Sequence, residues 1–188
     1  MKSKLLVGIT GYKRSGKDTA AHIIKQIDDE YQQKAFADPI KEIVHSIFDP
    51  MLHYQSNLYK DKTIPLRNYS FRDLYIAFGE RAGRKLDKNI WIDVLDSHIN
   101  QSTHNKFIVS DVRYNNEARY IKECGGVMIR IVRKKDEKFL EWLFRNYLPS
   151  LFRRSETGVS DKYIDYIIVN DGSIESLTHQ IKSLEIFS

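Results

Sequence analysis

Gly11-Tyr12-Lys13-Arg14-Ser15-Gly16-Lys17-Asp18-Thr19 is the stretch that decides the fold of this 188-residue chain. It follows an apolar run, Leu5–Ile9, that we interpret as a buried strand. Apolar residues at helical spacing come after it: Ala20, Ile24, Ile27 and Tyr31. The glycines of G-x-x-x-x-G-K let the backbone turn tightly towards phosphates, and the helix dipole favours the same anions. We therefore expect a bound nucleoside triphosphate, with a ligand-free strand–helix turn as the alternative.

The loop offers a set of candidate phosphate-binding residues. They are Gly11, Lys13, Arg14, Ser15, Gly16, Lys17, Asp18 and Thr19. Lys17 can reach the terminal phosphates as a mobile point charge. Asp18 stands where a Ser or Thr usually contacts Mg²⁺, and Thr19 follows one place later. Either side chain could hold the metal, through water, and this G-K-D-T form resembles small-molecule kinases more than GTPases or motor ATPases.

Composition indicates one globular domain. The chain is 41% hydrophobic and 29% charged, and it is long enough to bury a substantial core. No run approaches about 18 apolar residues, so we expect no membrane partner. The start, Met1–Leu5, is too short for a signal peptide, and Cys124 is the only cysteine, which excludes an internal disulfide. We expect a cytoplasmic location.

The net charge of +5 has a local source. Residues 106–154 contain 12 Lys or Arg against 6 Asp or Glu. Such a surplus suits a polyphosphate pocket as well as a nucleic-acid groove. An ATP-dependent nucleic-acid-binding protein is therefore an alternative, and it would bind with a steep salt dependence. Because no recognition motif for nucleic acid is present, we do not expect such a partner.

Strand patterns alternate with helical patterns along the chain. The predicted strands cover residues 5–9, 33–37, 106–110, 127–132 and 163–169. This alternation predicts an α/β fold of three layers, with a mostly parallel sheet of about five strands and helices on both faces.

Polar clusters follow the first three predicted strands. In an open α/β sheet, ligands bind beyond the carboxyl ends of the strands. Asp38 and Lys41 follow the second strand, and Asp111 and Arg113 follow the third. Asp111 could orient Mg²⁺ through water, and Arg113 could hold a transferring phosphoryl group. Helix caps for the aspartates and a surface ion pair for Arg113 are the alternatives.

Further candidates lie on helical segments. Arg72, Arg84 and Trp91 should pass near the same edge of the sheet, although solvated arginines and a core tryptophan fit the pattern as well. A basic segment between strands four and five contains Arg133, Arg153 and Arg154. Kinases of small substrates often close such a segment over the phosphates and expel water. A solvated helix is the alternative.

Several blocks together resemble the deoxynucleoside monophosphate kinases of bacteriophages. They are Gly11–Thr19, Phe36–Lys41, Asn89–Trp91, Ser110–Ala118 with the following Gly125-Gly126, Ser155-Glu156 and Val169–Ser173. These blocks span almost the whole chain in the order of the family. The phosphate loop is shared by many kinases, whereas D-V-R-x-x-N-E-A with its following G-G is much more specific. Dephospho-coenzyme A kinase and phosphomevalonate kinase are similar but weaker matches.

The resemblance implies a P-loop kinase that uses ATP and Mg²⁺ to phosphorylate a deoxynucleoside monophosphate. Carried over by motif, Lys17 and Arg113 stabilise the transferring phosphoryl group, and Asp111 and Glu117 order its surroundings, with Glu117 holding Arg113. The implied monophosphate site is Phe36, Asp38, Lys41, Arg72, Arg84 and Trp91. The lid residues Arg133, Arg153 and Arg154 are expected from the basic segment itself, because residues 133–154 match no pattern of the family. The candidate metal contacts, through water, are Asp18, Thr19 and Asp111.

We therefore expect a single kinase domain over residues 1–188, with an acceptor-binding region at about 38–100 and a lid-like insertion at about 133–156. The expected partners are small-molecule nucleotides. A homodimer fits the family, although the chain shows no readable interface. A kinase of another small acceptor, of the dephospho-coenzyme A or phosphomevalonate type, is the nearest alternative enzyme.

Overall fold

Five parallel strands form the sheet of this protein's structure, a computed structural model that describes residues 4–48, 61, 68–133 and 158–187. The strands are β1 (Leu5–Thr10), β2 (Tyr31–Lys34), β3 (Lys106–Val109), β4 (Val127–Arg133) and β5 (Tyr166–Asn170). Their order is β2-β3-β1-β4-β5, and each neighbouring pair is parallel. The predicted α/β fold with a five-stranded parallel sheet is confirmed.

Helices connect these strands along the chain. They are α1 (Lys17–Ile27), α2 (Asp38–Phe48), α3 (Phe71–Ile76), a π-helix (Ala77–Gly83), α4 (Arg84–Leu86), α5 (Ile90–Gln101), α6 (Asn115–Glu123) and α7 (Ile174–Lys182). Two 3₁₀ turns cover Asp161–Tyr163 and Glu185–Phe187. None of the helices in these described ranges has the length and apolarity needed to cross a bilayer.

Both faces of the sheet are covered, which explains the continuous apolar run of β1. Val7 and Ile9 belong to the core cluster on the face where α1 and α7 pack. On the opposite face, Gly8 lies beside Ile121 of α6 and Met128 of β4. Successive residues of β1 therefore pack alternately against the helices on the two opposite faces of the sheet.

The chain divides into two compact units. The first comprises Met1–Ala35 and Gln101–Ser188 and contains the sheet, and the second comprises Phe36–Asn100. The second unit has its own apolar cluster, built on Val44, Phe71 and Leu74. Its range is close to that of the predicted acceptor-binding region. That role, and the single kinase domain over the whole chain, stay predictions.

The bounds of β2 differ from the predicted 33–37. Tyr31, which fits the helical spacing of α1, is the first residue of β2 and is 2% exposed. α1 ends at Ile27, and Asp28 adopts an extended backbone. Pairing with β3, which aligns Tyr31 with Lys106, decides the strand. The sequence pattern does not contain this tertiary contact, so the expected continuation of the helix to Tyr31 is wrong.

The start of the fifth strand was also predicted too early. Residues 163–169 read as one apolar strand, but Tyr163 closes a 3₁₀ turn and β5 begins at Tyr166. The intervening Asp165 accepts hydrogen bonds from Lys122 Nζ and from the backbone N–H of Met128. These contacts fix the point at which the chain enters the sheet.

The segment around Gly79 and Gly83 is a π-helix, where the sequence indicates only a looser bend. Trp91 is buried, and its indole N–H donates to the carbonyl of Gly79 at 3.0 Å. The same carbonyl accepts the backbone N–H of Arg84, in the i to i+5 pattern of a π-helix. The absence of side chains at the two glycines lets the indole lie against this helix.

Gly83→Ala is expected to destabilise the second unit. A Cβ at Gly83 would lie 2.8 Å from Cε2 of Trp91, although the backbone φ of −58° is an ordinary helical value. Helix propensity alone would favour alanine by ~1 kcal/mol. We expect overpacking to dominate and the free energy of unfolding to fall by about 1–3 kcal/mol. Chemical denaturation of the parent and the variant would measure this change in the free energy of unfolding.

The matched control is Arg81→Ala, an exposed position in the same π-helix. Its unfolding free energy should stay within about 0.5 kcal/mol of the parent. An unchanged or raised stability of the Gly83 variant would contradict the packing described for Trp91.

Candidate active site

The phosphate loop connects β1 to α1 through three residues with positive φ. They are Gly11 at 150°, Arg14 at 64° and Gly16 at 103°. Within the loop, the backbone N–H of Ser15 donates to the carbonyl of Tyr12 at 3.1 Å. A Cβ at Gly11 would lie 2.7 Å from Ser15 Oγ and would overlap the carbonyl oxygen of Ile131. Close approach as well as backbone conformation therefore requires glycine at the start of the loop.

Lys17, the first residue of α1, folds back over this loop. Its ammonium donates to the carbonyl of Gly11 at 2.8 Å and to that of Tyr12 at 2.7 Å. Burial lowers the pKa of Lys17, and the positive charge of Arg113 lowers it further, whereas Asp18 and Asp111 raise it. These four predicted site residues therefore lie within electrostatic range of one another.

The chain after β3 is held by its main chain at the same edge of the sheet. Val112 N–H donates to the carbonyl of Ile9, the β1 residue that precedes Thr10 and the loop, at 3.2 Å. Ser110 is buried, and its hydroxyl accepts from Gln33 Nε2 at 2.9 Å. These bonds place Asp111 beside the beginning of the phosphate loop.

Glu117 positions Arg113 through the backbone. The Glu117 side chain is buried, and Oε2 accepts the N–H of Arg113 at 2.7 Å and that of Tyr114 at 3.1 Å. The carboxylate thus caps the start of α6, where the helix dipole favours a negative charge. The arginine side chain is exposed and can reach a ligand at the loop.

Arg133 ends β4 and contacts the phosphate loop directly. Its Nη1 donates to the carbonyl of Arg14 at 3.2 Å. The left-handed backbone of Arg14 is uncommon for a residue with a side chain. The predicted lid residues Arg153 and Arg154 lie outside the described residues, as does most of the predicted 133–156 insertion. The lid role of all three arginines stays a prediction.

Asn170, the last residue of β5, is a contact residue that the sequence analysis did not assign to the site. Its Nδ2 donates to the carbonyl of Ser15 at 2.8 Å, and its Oδ1 accepts the N–H of Gly172 at 2.9 Å. In the sequence, this asparagine stands between an apolar strand and an Asp-Gly turn, within the Val169–Ser173 block that resembles the family. That pattern indicates a turn and no contact with a loop 155 residues away.

The predicted metal contacts supply the oxygen ligands that Mg²⁺ prefers. Asp18 and Thr19 are exposed at the start of α1, and Asp111 is half-buried. Within the described ranges, no group of three or more His, Cys, Asp or Glu forms a metal cage. Mg²⁺ typically uses one or two carboxylates and completes its shell with water and substrate phosphates. This donor set fits such an ion, and the assignment of its ligands stays a prediction.

The charged residues of the predicted monophosphate site lie in the second unit, where each has a nearby partner. Asp38 pairs with Lys41 at 2.9 Å. Arg72 pairs with Asp61 through both Nε and Nη2. Arg84 Nε lies 3.5 Å from Glu80 Oε1. An incoming phosphate would compete with these carboxylates for the arginines.

The aromatic residues of the predicted monophosphate site are buried in the same unit. Phe36 is 2% exposed and Trp91 is 5% exposed. The indole N–H of Trp91 is bonded to Gly79, so its visible contacts are those of a core residue. The role of these six residues of the second unit in binding stays a prediction.

The parallel sheet, the loop after β1 and Lys17 define the class of P-loop kinases. The fold is similar to that of TT1252 from Thermus thermophilus, with a TM-score of 0.52 and 15% identity over 97% of this chain and 96% of that one. It is also similar to shikimate kinase from Bacteroides thetaiotaomicron, with a TM-score of 0.50 and 14% identity over 95% and 96% of the two chains. At these identities the likeness shows the fold alone.

The sequence identifies the family within this class. The profile of the family Deoxynucleotide monophosphate kinase matches residues 4–64 and 62–181. A protein of Acanthamoeba polyphaga mimivirus, provisionally named a deoxynucleotide monophosphate kinase, is 29% identical over an alignment of 202 residues, gaps included, that covers 95% of each chain. The chain belongs to the deoxynucleotide monophosphate kinase family, and it is a phosphotransferase that acts on nucleotides.

Proposed function

We propose that this protein transfers the γ-phosphoryl group of ATP to the 5′-phosphate of a deoxynucleoside monophosphate. An oxygen of the acceptor phosphate attacks the γ-phosphorus in line. The bond between this phosphorus and the β–γ bridging oxygen breaks, and ADP leaves with the bonding electron pair. The products are ADP and a deoxynucleoside diphosphate, and no phosphorylated protein forms.

The observation that carries the proposal is the group of charges at the phosphate loop. The positive charge of Arg113 lowers the pKa of Lys17, and the negative charges of Asp18 and Asp111 raise it. A bound triphosphate would supply the negative charge that two adjacent cations require. Phosphoryl transfer depends mainly on positioning and on such electrostatic stabilisation.

The two cations have different roles in this proposal. The Lys17 ammonium exchanges its bonds with the carbonyls of Gly11 and Tyr12 for bonds with the terminal phosphates. The exposed Arg113 guanidinium stabilises charge on the transferring group, and Glu117 fixes the backbone from which it extends. Bidentate donors suit the equatorial oxygens of that group.

Asp18, Thr19 and Asp111 would hold Mg²⁺ through water. When bound, the ion would neutralise charge on the β- and γ-phosphates. The carboxylates keep the local charge balanced around Lys17 and Arg113, which is consistent with their opposite effects on the pKa of Lys17. The second unit supplies the acceptor site in this proposal.

Three further expectations remain part of the proposal. The protein acts in the cytoplasm of a host cell, its source is a bacteriophage, and it can form a homodimer.

An acceptor screen tests the proposed reaction. ADP production from ATP and Mg²⁺ should be measured with each deoxyribonucleoside and ribonucleoside monophosphate in turn. Turnover with at least one deoxynucleotide is expected. If every nucleotide fails, while dephospho-coenzyme A or a phosphorylated alcohol is phosphorylated, the acceptor assignment is wrong and the kinase assignment stands.

The affinity for ATP is expected to fall at alkaline pH. Because burial lowers the pKa of Lys17, the free protein loses this proton below the ordinary value of 10.5. Above the lowered pKa, ATP binding requires proton uptake, so the dissociation constant should rise with pH. Isothermal titration calorimetry in buffers of different ionisation enthalpy would detect the proton.

The matched variant for the pH measurement is Lys17→Arg, whose guanidinium stays protonated over this range. Its affinity should be lower at neutral pH but should lack the alkaline decline. An alkaline decline shared by both proteins would assign the titration to another group.

A further inference from the structure

We infer that Asn170 is a positioning residue that holds the phosphate loop in its binding conformation. Its effect on ATP rests on the proposed function, whereas its effect on the loop does not. The Asn170 amide bonds the carbonyl of Ser15 at 2.8 Å and the N–H of Gly172 at 2.9 Å. One side chain therefore connects the loop after β1 with the turn between β5 and α7.

The two bonds require an amide. The Ser15 carbonyl needs a donor, and the Gly172 N–H needs an acceptor. Asparagine presents an NH₂ donor and a carbonyl acceptor on one short side chain. An aspartate could accept from Gly172, but its carboxylate would face the Ser15 carbonyl with a second acceptor.

A side chain from the end of another strand also holds the loop near Ser15. Ser15 is 1% exposed, and its Oγ has no hydrogen-bond partner among the described residues. The neighbouring carbonyl of Arg14 is held by Arg133 at 3.2 Å. The ends of β4 and β5 thus hold two successive loop carbonyls, and the bond from Asn170 is the shorter of the two.

Holding the Ser15 carbonyl also fixes the direction of the next N–H group. In a trans peptide, the C=O and the following N–H point in opposite directions. The bond to Asn170 therefore turns the N–H of Gly16 away from β5. Loop N–H groups of this kind are the ones that contact phosphate oxygens in a P-loop.

Asn170 also explains the glycine at position 16. A Cβ at Gly16 would overlap Nδ2 of Asn170, and the φ of Gly16 is 103°. Any side chain at position 16 would displace the amide that holds the loop. The second glycine of G-x-x-x-x-G-K and the side chain of Asn170 thus pack directly against each other.

The test uses Asn170→Ala and Asn170→Asp in the full-length protein. Alanine removes both bonds, whereas aspartate keeps the acceptor for Gly172 and replaces the donor to Ser15 with a negative charge. We expect the melting temperature to fall more for alanine than for aspartate. We expect ATP affinity to fall in the opposite order, by about 3–10-fold for alanine and by about 30-fold or more for aspartate.

Amide hydrogen exchange of the ligand-free protein gives a readout that does not need activity. In both variants, the peptide containing residues 11–19 should exchange faster than in the parent. If the loop peptide responds in this way but the parent binds no ATP, the proposed function fails and the positioning role stands.

The matched control is Gln180→Ala. Gln180 also uses its amide twice on β5: Nε2 donates to the carbonyl of Val169 at 3.0 Å, and Oε1 accepts the N–H of Val169 at 3.2 Å. It has no contact with the loop in the hydrogen bonds described for it. This variant should lose stability while its ATP affinity and loop exchange stay within about twofold of the parent.

The inference is overturned if the Asn170 variants behave like Gln180→Ala, with lower stability but parental ATP affinity and loop exchange. It is also overturned if Asn170→Asp binds ATP as tightly as the parent. Either result would show that Asn170 stabilises only the turn between β5 and α7 and does not position the phosphate loop.

Discussion

Lys17→Ala is expected to lower kcat by about 10²–10³-fold or more while the fold survives. The Lys17 ammonium is partly buried within electrostatic range of Arg113, Asp18 and Asp111, and it donates hydrogen bonds to two loop carbonyls. A preorganised charge in such a site stabilises the transition state more than the same charge would in water. Steady-state kinetics with ATP and the accepted monophosphate would measure the loss.

The control for this variant is Lys25→Ala, an exposed lysine in the last turn of the same helix, α1. Its kcat should stay within about twofold of the parent, since its side chain lies away from the loop. Circular dichroism and melting temperature should show that both variants are folded. Near-normal turnover of Lys17→Ala would refute its assigned role.

Arg113→Ala is expected to produce the second large loss, about 10³-fold or more in kcat. Arginine fingers that stabilise the transferring phosphoryl group in GTPases contribute effects of about this size. The Arg113 backbone is fixed by Glu117, so alanine removes the guanidinium without removing the cap of α6. Most of the effect should therefore appear in kcat, with a smaller change in the KM for ATP.

Arg119→Ala is the matched control for Arg113. Arg119 is an exposed arginine on α6 whose nearest carboxylate is that of Glu123, at 3.7 Å. Its removal changes the net charge equally, so it separates the site effect from a general loss of positive charge. Equal losses in the two variants would show that Arg113 has no specific part in the reaction.

The phosphate loop can be predicted from the sequence because all of its residues are close together along the chain. Gly11, Gly16 and Lys17 lie within seven residues, after an apolar strand and before a helix with apolar residues at helical spacing. β1, β3 and β4 are likewise visible as apolar runs. For these elements, local pattern and tertiary structure agree, so one sequence was sufficient.

β2 was less predictable because its identity depends on its partner. Its four residues, Tyr31–Lys34, include two glutamines and a lysine. Parallel pairing with β3 and the burial of Tyr31 make it a strand, and neither can be read from helical or alternating spacing. The position of Trp91 was equally hard to predict from sequence. Its contacts with Gly79 and Gly83 join two segments, and the sequence pattern of neither segment indicates the other.

The candidate site was predictable only where one motif contains its residues. The role of Glu117 as a backbone cap for Arg113 lies within a single block of the sequence. The bond from Asn170 to Ser15 joins opposite ends of the chain, and no spacing rule relates them. The sheet order brings these two residues together, because β4 lies next to β1 and β5 lies next to β4.

The most direct measurement is a single-turnover experiment with ATP labelled at the γ-phosphate. Protein in excess over ATP would be mixed with each deoxynucleoside monophosphate in turn, and the label would be located in products and protein over time. We expect the label to appear as the β-phosphate of the deoxynucleoside diphosphate and never on the protein. Label on the protein before product forms, or label released only as inorganic phosphate, would contradict it.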